Sequence, residues 1–179
     1  MKKLKVSGLL CILLSSGQAA FAVDGTIQFT GSVVQSTCQL ALNGAGMSNT
    51  NATTISFDPI GTESFSTAGT LAGDSKVLTF TVSSCGTTKP NNLEVIYLTA
   101  AGGAAPSTAN TVPNTTAAAS ATNAGIAITR SDGTTFVKSG DLLPLTPTVP
   151  LSLVAQYVST AIPVTPGSYT GTVQLTMTY

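Results

Sequence analysis

The sequence predicts an all-β fold, an antiparallel β-sandwich. Three observations carry that prediction. Apolar and polar residues alternate with period 2 in several short runs separated by turn residues, which is the signature of half-buried strands. Beyond the first 22 residues no segment shows the 3.6-residue period of an amphipathic helix. Charged residues make up only 8% of the 179 residues, against about 25% in an average soluble chain, while hydrophobic residues sum to 42% and aromatics to 6%. A chain so rich in Thr, Ser, Ala, Gly and Asn is neither a charged disordered segment nor a helical bundle.

The elements follow in chain order. Residues 1–22 read as a secretory signal peptide. Lys2, Lys3 and Lys5 precede a short apolar stretch from Val6 to Leu14, and Ala20-Phe21-Ala22 fits the small-x-small cleavage rule. The apolar run is too short to span a bilayer and ends in Ser15-Ser16-Gly17. Removing 22 of the 179 residues leaves 157, and the balance of seven basic against seven acidic residues becomes four against seven, a net charge of −3. Cys11 leaves with the signal. Cys38 and Cys85 remain as an even pair in an exported chain, which implies one disulfide. The redox or metal alternative is disfavoured, since there is no C-x-x-C and no His.

The first alternating run spans Thr26 to Val34, with Ile27, Phe29, Gly31 and Val33 on one face. Further strand-like runs are Thr53 to Phe57, Lys76 to Val82, Leu93 to Thr99, Ala124 to Thr129, Leu151 to Val158 and Tyr169 to Tyr179. Asn43-Gly44 and Asp132-Gly133 are hairpin-type turn signals. The low-complexity stretch Ala100 to Thr122 is expected to be a long surface loop or ragged edge. Pro144, Pro147 and Pro150 disfavour a central strand over Leu142 to Pro150. In the last run Tyr169, Gly171, Val173, Leu175, Met177 and Tyr179 share one face. Two glycosylation sequons, at Asn51 and Asn114, arise easily by chance in this composition and receive no function.

The absence of His excludes a Ser-His-Asp triad, a Cys-His dyad and a His-ligated metal. No basic footprint for nucleic acid is present. Seven carboxylates scattered over turns form no glycosidase-type pair, so an enzyme is not expected. A monomeric secreted carbohydrate-binding β-sandwich is the alternative function, poorly supplied with aromatics in a chain without Trp.

The segment Gly25-Thr26-Ile27-Gln28-Phe29-Thr30-Gly31-Ser32-Val33-Val34 leading to Cys38, the partner Cys85, the central Ser120-Ala121-Thr122-Asn123-Ala124-Gly125-Ile126-Ala127-Ile128, and a Pro-Gly turn before an alternating strand that closes on Tyr179 occur in that order. In this the chain resembles the pilin subunits of chaperone–usher fimbriae of the type 1 group, over nearly the whole of residues 23–179. One departure is visible: the family usually carries its tyrosine at the penultimate position, whereas Tyr179 is last. Counted from the tyrosine, Gly167 falls where the family has a glycine near the start of the last strand, so the difference reads as one missing final residue.

The resemblance implies an incomplete immunoglobulin-like β-sandwich that lacks its last strand and is completed by a donor strand from a neighbour. Residues 23–37 would be the N-terminal donor extension, with Gly25, Ile27, Phe29, Gly31 and Val33 as its inserting face, and 38–179 the pilin domain. Gly167, Tyr169, Val173, Leu175, Met177 and Tyr179 would border the receiving groove and the chaperone contact. The short extension is closer to the family's minor adaptors than to its main rod subunits, and no additional lectin-like domain fits. The implied partners are neighbouring pilin subunits, a periplasmic chaperone and an outer-membrane usher. No cofactor, nucleic acid or small-molecule substrate is expected. The implied location is an extracellular fimbrium that supports adhesion, reached through the periplasm.

Overall fold

A computed structural model describes residues 38–48 and 52–179. The expected signal peptide and the first alternating run lie outside these residues. Among the described residues eight strands form two antiparallel sheets: β1 (Gln39–Leu42), β2 (Ala45–Gly46), β3 (Leu71–Ser83), β4 (Asn92–Leu98), β5 (Ala124–Arg130), β6 (Asp141–Pro144), β7 (Leu151–Ser159) and β8 (Thr172–Thr178). The first sheet has the order β2-β1-β3-β7-β5 and the second β6-β4-β8. Among the described residues the only helical element is a single 3-10 turn, Thr62–Ser64.

Alternation dictates the core. Leu78, Phe80 and Val82 of β3 and Leu153 and Ala155 of β7 are buried from one sheet, and they meet Leu93, Val95 and Tyr97 of β4, each fully buried, from the other. Each such aliphatic or aromatic side chain stabilises the fold by about 1.5–3 kcal/mol when removed from water. β5 is buried along Gly125–Thr129, as expected for a strand covered on both faces. The Tyr97 hydroxyl would be costly in this interior without a partner, and it donates to the Val137 carbonyl at 2.7 Å. Burial, reinforced by the Asp141 carboxylate, pushes this phenol above the ordinary tyrosine range.

Turn chemistry follows the sequence. Asn43 and Gly44 both have positive φ (51° and 82°), the type I′ geometry that joins β1 to β2 in a two-residue hairpin. The Asn43 side chain then grips β3: its Oδ1 accepts from the Thr79 N–H at 2.8 Å and its Nδ2 donates to the Val77 carbonyl at 3.2 Å. At the other turn signal Asp132 accepts from the Thr134 and Thr135 N–H groups, both at 2.8 Å, and from the Thr135 hydroxyl at 2.6 Å. These bonds, the Thr135 hydroxyl first, hold its carboxyl at about 2.

Cys38 and Cys85 form the expected disulfide, across a separation of 47 residues. Cys38 directly precedes β1 and Cys85 lies just beyond β3. Because Gln39 pairs with Ser83, the bond pins the shared end of two adjacent strands.

Three expectations change. The run Thr53 to Phe57 alternates, with Ile55 and Phe57 packed on the core and Thr54 and Ser56 exposed, yet it joins neither sheet. The last strand is shorter than the run that predicted it: it begins at Thr172, because Tyr169 and Thr170 are held by the 112–115 segment instead of by β4. The Ala100–Thr122 stretch is more than a surface loop. It crosses from β4 to β5 and contributes Ala105 and Val112 to the core. The expectation for Leu142 to Pro150 holds: the strand there, β6, lies at the sheet edge, where Pro144 leaves no central ladder broken.

Candidate functional site

β8 pairs with β4 on one side, and among the described residues no strand pairs with its other side. A row of backbone N–H and C=O groups on such an edge requires partners. Alongside it runs a groove of about 1300 Å³. Leu40, Phe80, Leu153 and Val95 reach it from the two sheets, Val173, Leu175 and Met177 from β8, and Ile55 and Phe57 from the unpaired 52–57 segment. Every lining residue among those described is uncharged. The three β8 side chains are only partly buried although they pack against the core. An uncharged groove thus runs beside the unpaired edge of β8.

Local sequence explains why β8 carries this edge. Val173, Leu175 and Met177 alternate with Thr172, Gln174, Thr176 and Thr178, so one face is apolar and the other wet. The register is set by seven pairs with β4, from Asn92 with Thr178 to Leu98 with Thr172. Seven residues of strand span about 24 Å.

The expected groove residues fall into two groups. Tyr169, Val173, Leu175 and Met177 line the groove. Gly167 and Tyr179 do not. Gly167 packs against the backbone of Ala119–Ala121, where an added Cβ would lie 2.6 Å from the Ala119 carbonyl oxygen. It also borders a smaller cavity of about 260 Å³. The Tyr179 hydroxyl accepts the Cys38 N–H at 3.1 Å, joining the end of the chain to the disulfide. The expected inserting face, Gly25, Ile27, Phe29, Gly31 and Val33, lies outside the described residues.

One end of the groove is aromatic. Phe57 and Tyr157 are 5.2 Å apart between ring centroids, and Tyr157 and Tyr169 are 6.3 Å apart in an edge-to-face arrangement. The Tyr169 hydroxyl donates to the Val112 carbonyl at 2.7 Å and accepts the Ile126 N–H at 3.2 Å. Burial raises its pKa above the ordinary tyrosine range, with the Ile126 N–H acting against that rise. Tyr169→Phe strands both backbone groups, and a loss of about 1–3 kcal/mol in unfolding free energy is expected in a urea titration. A loss indistinguishable from zero would show that water replaces the hydroxyl there. The 52–57 segment walls the groove without having been assigned to it, and so does Gly171, whose added Cβ would meet the Tyr169 hydroxyl at 2.5 Å. The alternation of Thr53 to Phe57 is the signal for the first, and the place of Gly171 on the alternating face of the last run is the signal for the second.

The charged groups lie elsewhere. The Asp58–Lys76 pair, at 3.8 Å, is exposed on the carboxylate side. Among the described residues no three Cys, Asp or Glu are grouped to hold a metal, and no helix is long and apolar enough to cross a membrane. A family model described as fimbrial protein matches residues 27–179. No curated protein matches the chain.

Proposed function

Because this chain belongs to the fimbrial protein family, a family of structural pilin subunits that assemble with one another into surface fimbriae, we propose that it polymerises by donor-strand exchange. In this reading residues 1–22 are the export signal, 23–37 the donor extension and 38–179 the domain that receives a neighbour's extension. Gly25, Ile27, Phe29, Gly31 and Val33 are the inserting side chains. A periplasmic chaperone covers the slot before assembly, an outer-membrane usher conducts the subunits to the surface, and the filament supports adhesion.

The observation that carries the proposal is the uncharged groove beside the unpaired edge of β8. A β-strand is the one ligand that answers both features at once. Its main chain satisfies the edge, and its alternate side chains fill the slot. The inserting face from Gly25 to Val33 covers nine positions, about 30 Å of extended chain, which is commensurate with the roughly 24 Å of β8. A small-molecule site would instead present a few convergent polar groups.

The test is a mixing experiment. The chain from Val23 onward is purified and titrated with a synthetic peptide copying Val23 to Gln35. At a peptide concentration 100 times Kd the domain gains about 2.7 kcal/mol, which raises Tm by roughly 5–10 °C. A stable monomer indifferent to the peptide would return the chain to the secreted-module reading.

A further inference from the structure

Asn114 belongs to a sequon to which the sequence assigns no role. In the fold its side chain is fully engaged. An Asn amide offers two donors and two acceptor positions, and here all four are used. Nδ2 donates to the carbonyls of Ala121 and Ser168, both at 3.0 Å. Oδ1 accepts from the Thr116 N–H at 3.0 Å and the Thr170 N–H at 3.2 Å. Two carbonyls face the nitrogen and two N–H groups face the oxygen, so the orientation of the amide is dictated by its surroundings.

These bonds tie the crossover between β4 and β5 to the backbone at Ser168 and Thr170, directly ahead of β8. Thr115 adds to the same tie, its N–H and hydroxyl both reaching the Thr170 carbonyl, at 2.7 and 2.9 Å. Thr170, Gly171 and Thr172 line the groove at this end. Asn114 is only partly exposed, yet it contributes no apolar surface to the core, and the crossover has its own anchor in the Val112 N–H to Ile126 carbonyl bond. Its bonds therefore fix a path, not a core.

We propose that Asn114 is the positioning residue that sets the leading end of the acceptor edge of β8, so that an incoming strand meets a fixed edge at Thr170–Val173. The inference rests on the strand-acceptor reading above. It assigns strand capture to a side chain that does not itself line the groove.

The experiment measures binding of a fluorescent Val23–Gln35 peptide to the chain from Val23 onward, in wild type, Asn114→Ala and Asp132→Ala. Asp132 holds a comparable turn clasp, whose hydrogen bonds go to Thr134 and Thr135. The expected result is a peptide Kd weakened on the order of tenfold or more in Asn114→Ala, the factor for one or two net hydrogen bonds, and within about twofold of wild type in Asp132→Ala. Equal weakening in both variants, or none in Asn114→Ala, overturns the inference while leaving the groove intact. Failure of wild type to bind the peptide overturns the groove reading, and this inference with it. Hydrogen exchange on wild type gives a measurement independent of any variant's folding. The Thr116 and Thr170 amides should be protected like those of the β4–β8 ladder, and free exchange at both overturns the clasp.

Discussion

Replacing Cys38 and Cys85 together by alanine is expected to lower the unfolding free energy by about 3–5 kcal/mol, the chain-entropy value for a loop of this length. Small domains hold only about 5–15 kcal/mol in total, so the change removes a large share of the stability. The location makes the effect more than entropic. β1 is four residues long and is held by β3 on one side and by the two-residue β2 on the other. Cys38 is its anchor, and the Cys38 N–H is also the group that the Tyr179 hydroxyl accepts. With the bond gone, β1 is free to fray from Gln39, and Leu40 and Leu42 go with it. Both reach the groove. The double variant is therefore expected to bind the donor peptide poorly even where its β3–β7 and β4–β8 ladders persist. Urea unfolding of wild type with and without reductant, beside the double variant, checks the figure. A difference below about 1 kcal/mol would place the support of β1 in its side-chain packing instead.

The strands that the sequence made legible are those whose alternation meets a partner strand in one of the two sheets. Lys76 to Val82, Leu93 to Thr99, Ala124 to Thr129 and Leu151 to Val158 each fall within one residue of an observed strand or inside a longer one. Their side chains are sorted by burial, and burial is what period 2 encodes. β1, β2 and β6 are too short to show a period, and only the Asn43-Gly44 turn announced the first two. Thr53 to Phe57 carries the same alternation without a ladder. Its apolar residues have a core to pack on, but among the described residues its backbone has no strand beside it. Long-range polar ties were not legible at all. Tyr169 with Val112 and Asn114 with Ser168 lie 57 and 54 positions apart, and no local pattern distinguishes a hydroxyl or an amide that will find such a partner. The apolar face of β8 is legible as one alternating run, whereas its assignment to a groove comes from the family resemblance alone. Gly167 is assigned by the resemblance to the start of the last strand, and in the fold it makes a close approach to the backbone of Ala119–Ala121.

Phe29→Asp is expected to abolish polymerisation while leaving the domain that carries it able to fold and to receive a strand. The two halves separate because Phe29 lies on the extension, and every core residue named above lies at or beyond Cys38. In a neighbour's groove the substitution removes about 1.5–3 kcal/mol of apolar burial. It also brings a carboxylate into a slot whose described lining holds no cation, at a further penalty of several kcal/mol. Together these reach about 5 kcal/mol or more, and each 1.4 kcal/mol is tenfold, so strand binding weakens by roughly three to four orders of magnitude. Assembly multiplies that loss at every junction. Gln28→Asp provides the contrast. Gln28 sits on the opposite face of the same alternating run, so its carboxylate stays in water and filaments of near-normal length are expected. Electron microscopy of cells expressing each variant, with size-exclusion chromatography of the periplasmic fraction, reads both outcomes. Normal filaments from Phe29→Asp would move the inserting face off the odd-numbered residues. Loss of filaments from both variants would mean that both faces of the extension are buried, as in a central strand covered on two sides, and the groove would then have to close over its occupant.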